Sequence, residues 1–212
     1  MTVYGRAASS SARAAEILEA VDGIHRCVGF RSPPFRLEEF LARFDTYRVF
    51  EVDLPGGLDG KIVLTPDGEQ RTIYLRKQNP RTRIRFTLAH EIVHGEIHFP
   101  EGRLPNLVGC RRVDPGRVSG RGAVLEREAN FGAAALLAPL WSIAAILPPG
   151  TSPPYPSEFV RALARKFLVS ESTMAFQLEA FSRGSVWRRP ETRSEWIEYA
   201  ARQTRAGGLK RR

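Results

Sequence analysis

The spacing of apolar residues changes period along the chain, and the changes mark its elements. Ile17, Leu18 and Val21 recur on one side of a helical repeat, which predicts a short amphipathic helix from Arg13 to Val21, ended by Gly23. Residues 1–12 are small and polar and carry no such pattern. Ser32-Pro33-Pro34 breaks the chain, and Leu37 to Phe44 reads as a second short helix. The period then falls to two. Tyr47 to Leu54 alternates around Val49 and Phe50, Lys61 to Leu64 is rich in β-branched residues, and Thr72 to Leu75 is a third such run. Gly56-Gly57 and Pro66-Asp67-Gly68 are the turns between them. These segments predict a small antiparallel sheet, a hairpin plus one more strand.

A helical period returns after Pro80. Pro suits a first helical turn, Asn79 is a candidate N-cap, and the helix is expected from about Arg81 to Ile97, stopped by Pro100. Glu101 to Gly122 is Gly- and Arg-rich and reads as a long loop. A second strong helix is expected from Val124 to Leu137, closed by Pro139. Pro148-Pro149-Gly150 and Pro153-Pro154 form a break, followed by helices near Ser157–Phe167, Glu171–Ser182 and Glu191–Gln203. The fold class is therefore α+β: a small antiparallel sheet packed on helices, then a helical C-terminal subdomain. The expected divisions are an N-terminal extension over 1–34, a main domain over 35–148, a helical subdomain over 149–184 and a basic tail over 185–212.

Charge changes this picture little. The 32 Lys and Arg outnumber the 23 Asp and Glu, a formal net charge of +9. Such a balance favours acidic partners in general, but most of it is spread along the chain. The N-terminus has no signal-peptide core and no run of eighteen apolar residues occurs, so a cytoplasmic protein without membrane contact is expected, with Cys27 and Cys110 reduced.

The candidate chemistry lies in His90-Glu91-Ile92-Val93-His94. On a helix, residues four apart stand one turn apart on the same face, so both imidazoles can reach one Zn²⁺. Glu91 is placed to act as general base on the attacking water. A catalytic zinc site needs a third protein ligand. His98 is one candidate, but three ligands at i, i+4 and i+8 along a straight helix would span about 12 Å, too far for one ion. His98 is read as a rim residue supporting the ligands, unless Gly95 bends the helix. Glu126 is the better third ligand, since Asn130 shares its helical face and can orient a ligand imidazole. Glu128 is read as a solvated charge, and Gly132 to Ala135 are small enough to let the two helices approach closely.

These residues resemble the ImmA/IrrE family of metallopeptidases. The resemblance rests on Arg85-Phe86-Thr87-Leu88-Ala89-His90-Glu91, then His94, then Glu126-Arg127-Glu128-Ala129-Asn130, then Leu136-Leu137-Ala138-Pro139, and covers about residues 35–180. It implies a zincin-type fold and a thermolysin-like zinc site with Glu126 as third ligand. It further implies a cytosolic endopeptidase that cuts a specific protein partner, often a helix-turn-helix repressor, so releasing stress or mobile-element genes. One departure is Phe131-Gly132, where relatives carry a variable residue and then Phe-Ala; packing beneath the metal is expected to differ. The strand Thr72 to Leu75, if it is a sheet edge, offers a place for substrate to add as an extended strand.

A second function class competes. Residues 162–178 read as a helix-turn-helix, with Ala164, Val169 and Leu178 at buried positions and Ser170 as a cap, which would suit a DNA-binding regulator. Against direct DNA binding, the second helix offers Glu171, Ser172, Thr173, Phe176, Gln177 and Glu179, with no cation for phosphate. A zinc-binding but inactive docking protein is a third reading, which the intact Glu91 opposes. Neither the substrate's identity nor the oligomeric state is legible.

Overall fold

The period-two segments do form a sheet, but with a different strand order from the simplest one. The computed structural model describes residues 10–102, 107–111, 121–148, 151–182 and 190–206. Strands β1 (Tyr47–Val52), β2 (Leu58–Leu64), β3 (Arg71–Arg76) and β4 (Leu107–Arg111) lie in the order β1-β3-β2-β4. β2 and β3 pair antiparallel, as do β2 and β4, whereas β1 runs parallel to β3. The sheet is thus mixed, not antiparallel throughout. Its hairpin is β2–β3, closed by Thr65, which accepts a hydrogen bond from Gln70 N and caps Asp67. β1 has then only the outer side of β3 left to join. β4 was hidden within the Gly- and Arg-rich stretch read as a loop, and the rest of that stretch lies outside the described residues.

Alternation decides which side of the sheet meets the core. Tyr47, Ile62, Ile73 and Leu75 are buried and face the central helix α3 (Arg81–Val93). From Thr87 to Val93 every residue of α3 is buried, because the sheet covers one side and α4 (Arg121–Leu137) the other. Each fully buried aliphatic side chain here, such as Ile92, contributes about 1.5–3 kcal/mol. Pro80, not Asn79, stands at the N-cap of α3; the Asn79 amide instead donates to Asp59. Pro80 can donate nothing, and its carbonyl accepts the first helical bonds, from Arg83 and Ile84.

The first helix, α1 (Ser10–Cys27), continues past Gly23, which the sequence suggested as its end. A mid-helix glycine costs only about 1 kcal/mol, and burial of Val21 and Ile24 on either side outweighs it. α2 (Leu37–Arg43) buries Leu37 and Phe40. After α4, Pro139 starts a further short helix, α5 (Leu140–Ile146), instead of simply closing the previous one. α6 (Ser157–Phe167), α7 (Glu171–Ser182) and α8 (Arg193–Ala206) complete the chain. One buried apolar cluster runs from Ala14 and Leu18 of α1 through the sheet and α4 to Trp196 and Tyr199 of α8. Gly122–Ile146 is long and apolar enough to cross a bilayer by composition, but 72% of its apolar window is buried inside the fold.

Candidate metal centre

α3 carries the first two candidate ligands, and both rings turn towards α4. His90 Nε2 and His94 Nε2 lie 3.0 Å apart. Glu126 of α4 reaches the same point: its Oε2 is 3.3 Å from His90 Nε2 and its Oε1 is 3.5 Å from His94 Nε2. One ligand atom from each of the three residues falls within 4.8 Å of the others. Such convergence requires α3 and α4 to touch, and Gly132 allows it. A Cβ at position 132 would meet Val93 Cγ1 at 2.9 Å and Ile17 Cγ2 at 3.2 Å, both buried and branched. Phe131, displaced by one position, lies among the α1 and α8 side chains Leu18, Trp196 and Ala200.

Hydrogen bonds around the two rings fix where their protons are. Asn130, one turn beyond Glu126, presents Oδ1 to His90 Nδ1 at 3.0 Å. With the proton on Nδ1, His90 Nε2 is left with a lone pair. His94 is held through a longer relay. Glu128 Oε2 lies 3.1 Å from His98 Nε2, and a carboxylate can only accept. When His98 donates only from Nε2, it turns an Nδ1 lone pair to His94 Nδ1, 2.8 Å away, which then donates. In that tautomer His94 Nε2 also carries a lone pair. Two lone pairs and a carboxylate then face one another. Glu126 Oε2 is buried, and among the described residues no hydrogen bond satisfies it. A cation is the species that such a set of acceptors accommodates, and two imidazoles with one carboxylate fit Zn²⁺.

Burial pushes His94 down to about 4, against the opposing pull of Glu126, so it is neutral near pH 7. Burial acts to raise Glu126, but its contacts with the His90 and His94 rings outweigh this and hold it at about 2. The ligand set is therefore a ready monoanion.

The relay depends on a local break in helical geometry. From His94 to His98 the chain makes a π turn, closed by Phe99 N donating to His94 O at 3.1 Å. π turns are rare and concentrate at functional sites. This one lies against the sheet at Gly95, where a Cβ would collide with Tyr47 Oη. Tyr47 donates its hydroxyl proton to Glu96 at 2.6 Å, pinning the turn from the other side. His98 is therefore beside His94 but outside the three-residue cluster.

Glu91 follows His90 and is rotated by about 100° around the helix, towards the sheet. It is fully buried, and its Oε1 would lie 3.2 Å from a Cβ at Gly60 of β2. Glycine at position 60 leaves room for the Thr87 methyl group first and for this carboxylate second. Gly60 lies on β2, the neighbour of edge strand β4.

Two expectations fail here. Glu128 is not a solvated charge: it bonds His98 and accepts from Arg13 Nε and Nη2 at 3.0 and 2.9 Å. Arg13 also holds Glu101 and Glu16, so α1, α4 and the end of the π turn meet at one guanidinium. The sequence signal for this was the third histidine, four residues beyond His94, matched by a second acid two residues beyond Glu126. The strand Arg71–Arg76 is not a sheet edge either; β1 and β2 flank it, and the edges are β1 and β4. Tyr155 shares a hydrogen bond of 2.7 Å with Ser182 in the α6–α7 unit.

α3 and α4 thus bring a candidate metal-binding cluster together beside a mixed sheet. Residues 47–179 match the family model of the IrrE N-terminal-like domain, peptidase family M78. That is more than half of the chain, and the chain belongs to this family. Among solved structures it is similar to a Mycobacterium tuberculosis transcriptional regulator, with a TM-score of 0.51 and 17% identity over 84% of this chain and 49% of that one. The likeness is one of fold, and the chain spans about half the length of that protein. No curated protein matches.

Proposed function

We propose that the protein is a cytoplasmic zinc-dependent endopeptidase that cuts one specific protein partner. The observation that carries this reading is the convergence of two imidazole lone pairs and an ionised carboxylate on one point, with Glu91 next to the first ligand. His90, His94 and Glu126 would hold the metal. Zn²⁺ in such a set supplies Lewis acidity, lowering the pKa of water towards neutral and stabilising oxyanion charge.

The rest is the work of the chain's own side chains. Asn130 and His98, the latter through Glu128, hold the two rings in the ligating tautomer. Glu91 takes the proton of the attacking water as the oxygen–carbon bond forms. It then delivers that proton to the amine nitrogen as the carbon–nitrogen bond breaks. An extended substrate segment can pair with β4, an edge strand among the described residues, one strand away from Gly60 on β2. Family membership supports a helix-turn-helix repressor as the partner, with release of stress or mobile-element genes as the outcome.

The test pairs metal analysis with co-expression of the candidate repressor. Glu91→Gln should purify with the same zinc content as the parent and leave the repressor intact; undiminished cleavage by that variant would remove Glu91 from the mechanism.

A second reading has one observation in its favour. α6 and α7 form a tight helix-turn-helix: Leu168 turns the chain at φ 54°, and Ser170 Oγ accepts from Thr173 N at 3.1 Å. Ala164, Val169 and Leu178 are buried within it. The exposed side of α7, however, presents Glu171, Ser172, Ala175, Phe176 and Glu179. Phosphate contacts need cations, and this surface has none. The unit is read as a packing or partner-recognition element, and a salt-sensitive shift of duplex DNA would restore the regulator reading.

A further inference from the structure

The helices α1, α4, α5, α7 and α8 do not close completely on one another. Between them lies a cavity of about 70 Å³, open on one side. Phe131, Trp141, Phe176 and Trp196 line it, one ring each from α4, α5, α7 and α8. Phe176 is 48% exposed and marks the open side. Two of these rings are held in place by other groups. Arg193 lies 4.3 Å from the centre of the Trp141 ring, and Trp196 stacks on Phe181 with planes 16° apart. Preformed apolar hollows with a few polar groups are where proteins take small molecules. The polar side chains of the lining narrow the choice. Asp22 is paired with Arg26 and Arg193, so its charge is compensated. His25 Nε2 donates to the Leu136 carbonyl at 2.9 Å, and Gln203 is partly exposed to water. Gln177 differs. It is buried, and its amide nitrogen faces two carbonyls, Ala138 O at 2.6 Å and Ala134 O at 3.2 Å, which can only accept. Both amide protons are used there. Its Oε1 receives no hydrogen bond from the described residues and is the one atom of that amide still free to bond a guest.

We propose that this cavity binds a small uncharged aromatic molecule carrying one hydrogen-bond donor, its ring among the four aromatic side chains and its donor on Gln177 Oε1. The volume admits about five waters, the room that a single ring takes. Aromatic walls favour an aromatic guest. A charged guest would leave water for a lining whose one charge, Asp22, already has its partners. The donor requirement follows from the amide, since Gln177 has only an acceptor left to offer. None of the lining residues belongs to the His90–His94–Glu126 cluster, so the site stands apart from the peptidase reading.

The test is a two-dimensional NMR titration of the full-length chain with phenol, and with toluene, which has the same shape without the donor. Phenol should bind saturably, with a Kd on the order of 0.1–1 mM for so few atoms, and should shift the Trp196 indole N–H and the Ala180 amide most. Toluene is the more apolar molecule and would bind better in a merely apolar hollow. Here phenol should bind about two- to tenfold tighter, the worth of one neutral hydrogen bond. Ala180 also lines the cavity, and Ala180→Leu, which fills the space from α7, should abolish binding of both compounds. Phe176→Ala should weaken phenol by about three- to tenfold through loss of one ring contact. Phe176 is half exposed, so this variant serves even if Ala180→Leu unfolds. No saturable binding of phenol, toluene binding as tightly or tighter, or phenol affinity unchanged in both variants would each overturn the proposal. The last would put phenol elsewhere on the protein, the metal centre included.

Discussion

Replacing Glu128 with Ala tests whether the tautomer relay matters to the metal. Glu128 is the only member of the chain Glu128–His98–His94 that cannot donate a proton, so it sets the direction of the two bonds that follow. Without it, His98 Nε2–H is buried with no carboxylate, and His98 can move its proton to Nδ1. His94 Nδ1 would then have to accept, and the His94 proton would move to Nε2, where a metal ligand must have none. A hydrogen bond to a charged group contributes about 1.5–3 kcal/mol. If that preference is what keeps His94 Nε2 bare, its loss should weaken zinc binding by about 10–150-fold. Measured losses on removing such supporting partners are of similar size. Glu128→Gln can still accept through its amide oxygen and should fall between parent and Ala variant. Chelator competition at pH 7.5 measures the zinc affinity, and ¹⁵N chemical shifts of the metal-free protein report the His94 tautomer. Parental zinc affinity in Glu128→Ala, with the fold intact, would show that the relay does not set the ligand.

Two other expectations concern the supporting structure. Gly132→Ala places a methyl group against Val93 and Ile17; overpacking of about 1–3 kcal/mol should exceed the roughly 1 kcal/mol gained in helix propensity, lowering both the melting temperature and zinc affinity. Burial pushes His25 down to about 4, only partly offset by its bond to the Leu136 carbonyl, so it is neutral in the folded protein and takes up a proton near pH 6.5 when unfolded. Its contribution is therefore complete above pH 6.5 and is lost as pH falls towards 4. Urea unfolding should show about 2 kcal/mol more loss between pH 7.5 and 5 in the parent than in His25→Gln, and equal losses would contradict the assignment.

What could be read in advance divides along physical lines. The spacing of His90, His94, Glu126 and Asn130 was legible because helical periodicity is local: residues four apart share a face whatever surrounds them. The strand faces were legible for the same reason, from the alternation at Ile73, Tyr74 and Leu75. Strand neighbours were not, since period-two alternation says which side a residue faces and nothing about the adjoining strand; hence β1 beside β3 and the unforeseen β4. Glu128 looked like any helical surface acid, and only the placement of α1 shows that Arg13 and His98 enclose it. The π turn was foreshadowed by Gly95 but needs the contact of that glycine with Tyr47 to be recognised. Gly23 misled because a lone glycine signals a helix end only when nothing apolar follows it, and Ile24 does.

Arg13 has a practical bearing on any attempt to trim this protein. The family match begins at residue 47, and a fragment cut there would look like a self-sufficient catalytic unit. It would lack the guanidinium that anchors Glu128 and the Ile17 side chain that seats Val93. Such a truncate should still fold its sheet yet hold zinc poorly, and its inactivity would be mistaken for a defect in chemistry when the missing part is a brace nearly eighty residues upstream of His90.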